Sequence, residues 1–205
     1  ATPSNPTGTV LDERQLGDLI KAATSRGGTL IVDEIYQGLT YSGSVTSAAA
    51  LSDEVFVINS FSKYFCMTGW RLGWLVAPEA YRRAVEKLAQ NLFIAAPTIA
   101  QYAALAAFLP ETKAILEAHR GEFQRRRDFL LPALRGLGFD IPVVPQGAFY
   151  LYADCSRFTG NSREFAADLL EQAGVAATPG LDFGDYRCEE EALKAFEHDD
   201  PERWA

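Results

Sequence analysis

Methionine, histidine and cysteine are scarce in this chain, and each shortage closes off a class of chemistry. The two histidines, His119 and His198, and the three cysteines, Cys66, Cys155 and Cys188, share no metal-ligand spacing. Neither a zinc module nor a disulfide framework is implied, and a reducing, cytoplasmic setting is the simplest reading. The single methionine is Met67, so the chain opens without a start residue. Loss of a Met ahead of Ala1 and excision from something longer explain that equally well. Basic residues number 19 against 27 acidic ones, and the resulting charge of −8 argues against a general affinity for nucleic acid or an anionic membrane. No apolar run approaches the roughly 18 residues of a membrane span, and no signal peptide is visible. What the chain has in quantity is core material: 48% of its 205 residues are hydrophobic, which argues for folded structure over disorder.

The opening, Thr2-Pro3-Ser4-Asn5-Pro6-Thr7-Gly8, is turn chemistry, with prolines fixing the backbone and Gly8 releasing it. Asp12 is placed to cap a helix running to about Ser25, with Leu16, Leu19 and Ile20 apolar and Gly27-Gly28 as its stop. Thr29-Leu30-Ile31-Val32 is a continuous apolar run, as expected of a strand buried on both faces of a parallel sheet. Two more runs, Val55 to Ile58 and Leu72 to Ala77, read as strands. Helices are expected from Tyr81 to about Leu92 and, alanine-rich and closely packed, from Thr98 to Leu109. A long amphipathic helix follows from Glu111 to about Arg135, with Ile115, Phe123 and Leu130 apolar and Arg125-Arg126-Arg127 as a solvated face. Beyond Gly138, strands over Phe139 to Val144 and Ala148 to Ala153, a helix from Ser162 to Ala173 and a last helix over about Glu189 to Glu197 are expected. The pattern divides into an α/β region over 1–110 and a smaller α+β region over 111–205.

In an open α/β sheet, ligands bind beyond the carboxyl ends of the strands. Two of the apolar runs end there in reactive side chains: Asp33 with Tyr36, and Ser60 with Ser62 and Lys63. Singly, each is as well explained as a helix cap or a solvated lysine. Together they match the needs of one cofactor, pyridoxal 5'-phosphate (PLP): an amine to bond its aldehyde, a carboxylate to hold its ring nitrogen protonated, and donors for its phosphate and phenolic oxygen. Lys63 offers the amine, Asp33 the carboxylate, and Ser60, Ser62 and Arg71 the phosphate donors, the arginine as a bidentate fork. Trp70 and Trp74 read as packing, and His119 and His198 as surface groups.

In order, spacing and composition, Asn5-Pro6-Thr7-Gly8, Asp33-Glu34-Ile35-Tyr36, Ser60-Phe61-Ser62-Lys63 and Met67 to Trp74 resemble class I/II aminotransferases of the aspartate-aminotransferase type. Pro97 to Gln101 and Pro145 to Tyr150 extend the likeness, which runs to about Gly184. The resemblance implies the carboxy-terminal part of a large PLP-binding domain with a mixed or parallel sheet, followed by the small domain. It implies that Lys63 is the Schiff-base lysine and proton shuttle, that Asp33 pairs with the pyridine nitrogen, and that Asn5 and Tyr36 hydrogen-bond the phenolic oxygen. Ser60 and Arg71, with Ser62 beside them, hold the phosphate. Amino-acid and 2-oxo-acid substrates and a homodimer follow from the same likeness. So does the expectation that these residues alone, lacking about half of such an enzyme, do not turn over.

One departure stands out. After Pro179-Gly180-Leu181-Asp182-Phe183-Gly184, only Asp185-Tyr186-Arg187-Cys188 precedes the last helix, too short for the strand that bears the substrate-carboxylate arginine in such enzymes. Arg187 is the candidate to stand in for it, and also a substrate contact beside Asn5. Two alternatives use the same residues: a PLP-dependent carbon–sulfur lyase on the same fold, and a non-catalytic effector-sensing domain of a transcription regulator.

Overall fold

The computed structural model describes residues 1–184 apart from Ser42 and Ser44. Its elements in chain order are α1 (Glu13–Thr24), β1 (Ile31–Asp33), β2 (Phe56–Ser60), β3 (Gly73–Val76), α2 (Glu79–Leu92), α3 (Thr98–Ala106), α4 (Pro110–Leu137) and α5 (Ser162–Ala173). Helix α1 starts where Asp12 places it. The Asp12 carboxylate accepts from the Gln15 amide at 2.7 Å and the Gln15 side chain accepts from the Asp12 amide at 3.0 Å, a reciprocal capping box. Leu16 and Ile20, one turn apart, are buried against Val32, Ala48, Val55 and Val57, whereas Leu19 is turned off that face and is 45% exposed.

β1 and β2 pair in parallel with Val32 opposite Val57, and β3 adds antiparallel with Asn59 opposite Trp74, so the sheet is mixed. The expectation of strands buried on both faces needs correcting. Alternation puts Val32, Val55 and Val57 under α1. The opposite face carries Ile31 and Ile58, 64% and 42% exposed, with Tyr81 of α2 covering Phe56 beside them. The apolar runs are real, but in the described residues β1 and β2 are thoroughly packed on one face only, and β3 is exposed along its length. Asp33 and Ser60 fall, by the same period of two, on the more open face.

Beyond β2 the chain packs Phe61 and Met67 against Ala104 and Ala107, and small side chains let α3 and the segment after it come close, as its alanine content suggests. α3 ends at Ala106 rather than Leu109. On α4 the buried residues are Leu116 and Leu131. Of the three residues expected on its apolar side, Phe123 is partly buried in the core, whereas Ile115 and Leu130 are 57% and 44% exposed and their neighbours Leu116 and Leu131 take the buried places. Arg125 and Arg126 do pair with Glu122 in solvent, but Arg127 does not belong to a solvated face. Its side chain is half-buried, donates to the Pro145 carbonyl at 2.7 Å and lies 4.8 Å over the Tyr41 ring.

The strands expected over Phe139 to Val144 and Ala148 to Ala153 do not form. Only an isolated bridge, Asp140 to Asp154, survives, because the backbone between them is engaged elsewhere. The Gln146 and Gly147 amides donate to the Gly8 carbonyl at 2.9 and 3.0 Å, Tyr41 N–H donates to Gln146 O at 2.9 Å, and Ala148 N–H donates to Leu39 O at 2.8 Å. This knitting buries Tyr36, Leu39 and Ala148 together, with Phe123 of α4 against them. Arg187, Cys188, His198 and the last expected helix lie outside the described residues.

Candidate active site

Because β1 and β2 run parallel, their carboxyl ends open on one edge of the sheet, and Asp33 and Ser60 mark those ends. The antiparallel β3 begins at the same edge, since Gly73 pairs with Ser60, and Arg71 precedes it by two residues. The turn bearing Asn5 joins this edge through Thr2 N–H, which donates to Asp33 O at 2.9 Å. Gly8 closes that turn at a φ of +68°, a conformation that favours glycine. The sequence-predicted residues Asn5, Asp33, Ser60, Ser62, Lys63 and Arg71 thus converge, and Tyr36 is carried to them by the turn after β1.

Lys63 is half-buried, with Nζ 5.6 Å from the centre of the Tyr36 ring and 5.9 Å from that of Phe149. Among the described residues no ion pair engages it. Two non-glycine residues of its loop, Cys66 and Arg71, hold φ of 56° and 53°, a sparsely populated region that concentrates at functional sites. Tyr36 is buried. Desolvation above all, then the Tyr150 hydroxyl and the charge of Asp33, push its phenol well above the usual range, so it stays protonated and able to donate. Its hydroxyl hydrogen-bonds that of Tyr150.

One Asp33 oxygen accepts from the Ile35 amide at 2.9 Å; the other takes no protein donor among the described residues. Next to it, Glu34 is fully buried but committed. Its two oxygens accept from Ala48 N–H at 2.7 Å and Ser47 Oγ at 2.8 Å, a structural use that leaves nothing for a ligand. The Ser60 hydroxyl meets Ser62 Oγ at 2.9 Å and Leu72 O at 3.1 Å, and accepts from the Ser62 amide at 3.0 Å. Arg71 is exposed, and one of its nitrogens donates to Thr68 O at 2.9 Å, leaving the rest of the guanidinium fork open. Asn5 is exposed and its amide has no protein partner among the described residues. Among the described residues Trp70 makes no aromatic contact, and Trp74 packs edge-on to Phe61 at 5.2 Å. His119 is exposed, as expected.

Two neighbours of Lys63 and Tyr36 were not singled out from the sequence: Phe149, whose ring flanks the ammonium, and Tyr150. Their only sequence signal was membership of the Pro145 to Tyr150 motif. Set against PLP, the residues fit. Among the described residues, a lysine amine without an acidic partner, a carboxylate with one oxygen free, paired serine hydroxyls and an open guanidinium fork lie at one sheet edge.

Comparison with known proteins agrees. Residues 1–191 match the family described as aminotransferase class I and II. Valine–pyruvate aminotransferase of Mycobacterium tuberculosis is 44% identical over 185 residues, covering 89% of this chain and 48% of that protein. A (5-formylfuran-3-yl)methyl phosphate transaminase of Methanocaldococcus jannaschii is 40% identical over 186 residues, again 89% of this chain and 48% of the relative. The crystal structure of an aminotransferase from Mycobacterium tuberculosis superposes with a TM-score of 0.87 at 43% identity, over 91% of this chain and 49% of that one. The chain therefore spans about half the length of the curated relatives it matches.

Proposed function

The chain belongs to the aminotransferase class I and II family, and from that premise we propose that it supplies the lysine-bearing part of a PLP-dependent enzyme that moves an amino group between an amino acid and a 2-oxo acid. The observation that carries the reading is the meeting of the Lys63 amine, the Asp33 carboxylate and the Ser60–Ser62 hydroxyls at one sheet edge. When bound, PLP supplies an aldehyde carbon for an amine and a conjugated ring that accepts electron density.

Lys63 would be the residue that holds the cofactor through its amine, and would then be placed to move the proton at the substrate Cα. The rings of Tyr36 and Phe149 flank its Nζ and limit the directions in which it can reach. Asp33 would hold a proton at the ring nitrogen with its free oxygen. Tyr36, kept protonated by burial, would donate to the phenolic oxygen, as would Asn5 from the adjoining turn. Ser60, Ser62 and Arg71 would take the phosphate. Arg187 is retained as the candidate for the substrate carboxylate.

The full-length protein is read as a cytoplasmic homodimer, with 1–110 in the cofactor domain and 111–205 in the small domain. Leu88, Leu92, Ile99 and Tyr102 are 60–75% exposed, which supports burial of α2 and α3 against further protein. On the same grounds these 205 residues alone are not expected to turn over.

The test is borohydride reduction of the full-length protein with PLP, followed by peptide mapping. A pyridoxyl group on Lys63 is expected; one on Lys21 or Lys87 would sink the assignment. Amino-group transfer from a panel of amino acids then separates a transaminase from a carbon–sulfur lyase, which would release a thiol instead, and from a sensor, which would do neither.

A further inference from the structure

A closed circuit of contacts joins the Lys63 loop to the turn that carries Tyr36, by way of α4. The Tyr64 ring lies directly on Gly38, where an added Cβ would sit 2.7 Å from the ring carbon Cγ. The Tyr64 hydroxyl donates to Glu117 Oε1 at 2.7 Å. One turn along α4, Arg120 Nε meets Glu117 Oε2 at 2.8 Å, and Arg120 Nη1 donates to Thr40 O at 3.0 Å, returning to the segment where the circuit began. The Tyr64 hydroxyl foremost, and the Arg120 guanidinium, hold the Glu117 carboxyl below its ordinary value, so it stays an acceptor at neutral pH. The same stretch of α4 touches the loop a second time, with His119 Nδ1 3.6 Å from Cys66 Sγ.

We propose that Tyr64, Glu117 and Arg120 are positioning residues that set the Lys63 amine against the Tyr36 ring. The proposal rests on the reading of Lys63 as the amine that bonds PLP. None of the three reaches the reacting atoms. Tyr64 adjoins Lys63 in sequence, and Thr40 lies four residues past Tyr36, so a circuit anchored on a rigid helix fixes two loops that otherwise meet only through side chains. Bonds exposed to water contribute little to stability, but they restrict where Nζ points.

The test mixes PLP with the full-length apo-protein, times the absorbance change as Lys63 bonds it, and records the melting temperature of each apo-protein. Tyr64→Phe, which keeps the ring on Gly38 and removes the hydroxyl, is expected to slow bonding roughly 3- to 10-fold with the melting temperature nearly unmoved. Glu117→Ala should act alike, Glu117→Gln should fall between wild type and Glu117→Ala because its one carbonyl oxygen still serves Tyr64 while its NH2 cannot accept from Arg120, and Tyr64→Phe/Glu117→Ala should be no slower than either single variant. A wild-type rate in Tyr64→Phe, additive losses in the double variant, or slowing matched by a falling melting temperature would overturn the proposal. If the wild-type protein leaves Lys63 unlabelled, the cofactor reading fails and this one falls with it.

Discussion

Gly8 and Pro145 are in contact across most of the chain. A Cβ on Gly8 would stand 2.5 Å from Pro145 Cβ and 2.8 Å from Gly147 O, and the Gly8 carbonyl takes two amides from the same segment. Gly8→Ala meets both that clash and a φ of +68°, so a loss of about 2 kcal/mol or more is expected. Denaturant melts should show it as a lower midpoint with an unchanged slope. A shift within error would mean that the segment after α4 moves aside freely.

Asp33→Asn keeps the shape of the β1 end and loses the charge. PLP should still bind, while exchange of the substrate Cα proton with deuterated solvent, followed by NMR, slows by roughly 100-fold or more. Near-normal exchange would remove Asp33 from the proton chemistry.

Arg71 combines an open guanidinium with left-handed backbone. Arg71→Ala and Arg71→Gly should both weaken PLP binding by about 1.5–3 kcal/mol, roughly 10- to 100-fold in Kd. The glycine variant should melt higher than the alanine one, because it alone relaxes the backbone. An unchanged cofactor Kd in both would show that the fork points elsewhere.

Burial, above all, pushes the Tyr41 and Tyr64 phenols up to about 12. An unfolded tyrosine ionises near pH 10, so between about 10 and 12 the unfolded chain releases protons that the folded one keeps. Stability should hold below that window and fall as pH rises through it. Denaturant midpoints measured against pH, with Tyr41→Phe and Tyr64→Phe as controls, check this; the fall should be shallower in each variant.

Periodicity made α1, α2 and α5 readable, and Asp12 fixed the start of α1, because spacing and a capping side chain act locally. Site residues were readable for a related reason: they follow strands directly, and strand direction alone carries Asp33 and Ser60 to one edge. What escaped was decided at a distance. Arg127 looks solvated until Tyr41 and Pro145 are folded over it, and the absent strands near Phe139 and Ala148 lost their backbone partners to Gly8 and Leu39. Phe149 and Tyr150 acquire their place only once Ala148 is pinned. On α4, Phe123 meets the core as its period requires, but Leu116 and Leu131 are buried in place of Ile115 and Leu130, because adjacent apolar pairs fit the same period.

The segment from Phe61 to Leu72 leaves and re-enters the sheet at a single rung, with Ser60 opposite Gly73 and Phe61 N–H bonded to Leu72 O. Such a loop is closed by its own base, so changing its length alters the closure entropy only slowly and leaves the ladder beneath untouched. For a lineage or an engineer it is a cassette with its own fittings: amine, serine and arginine move together between scaffolds only when the seats of Phe61, Met67 and Tyr64 travel with them, while the strands beneath need not change.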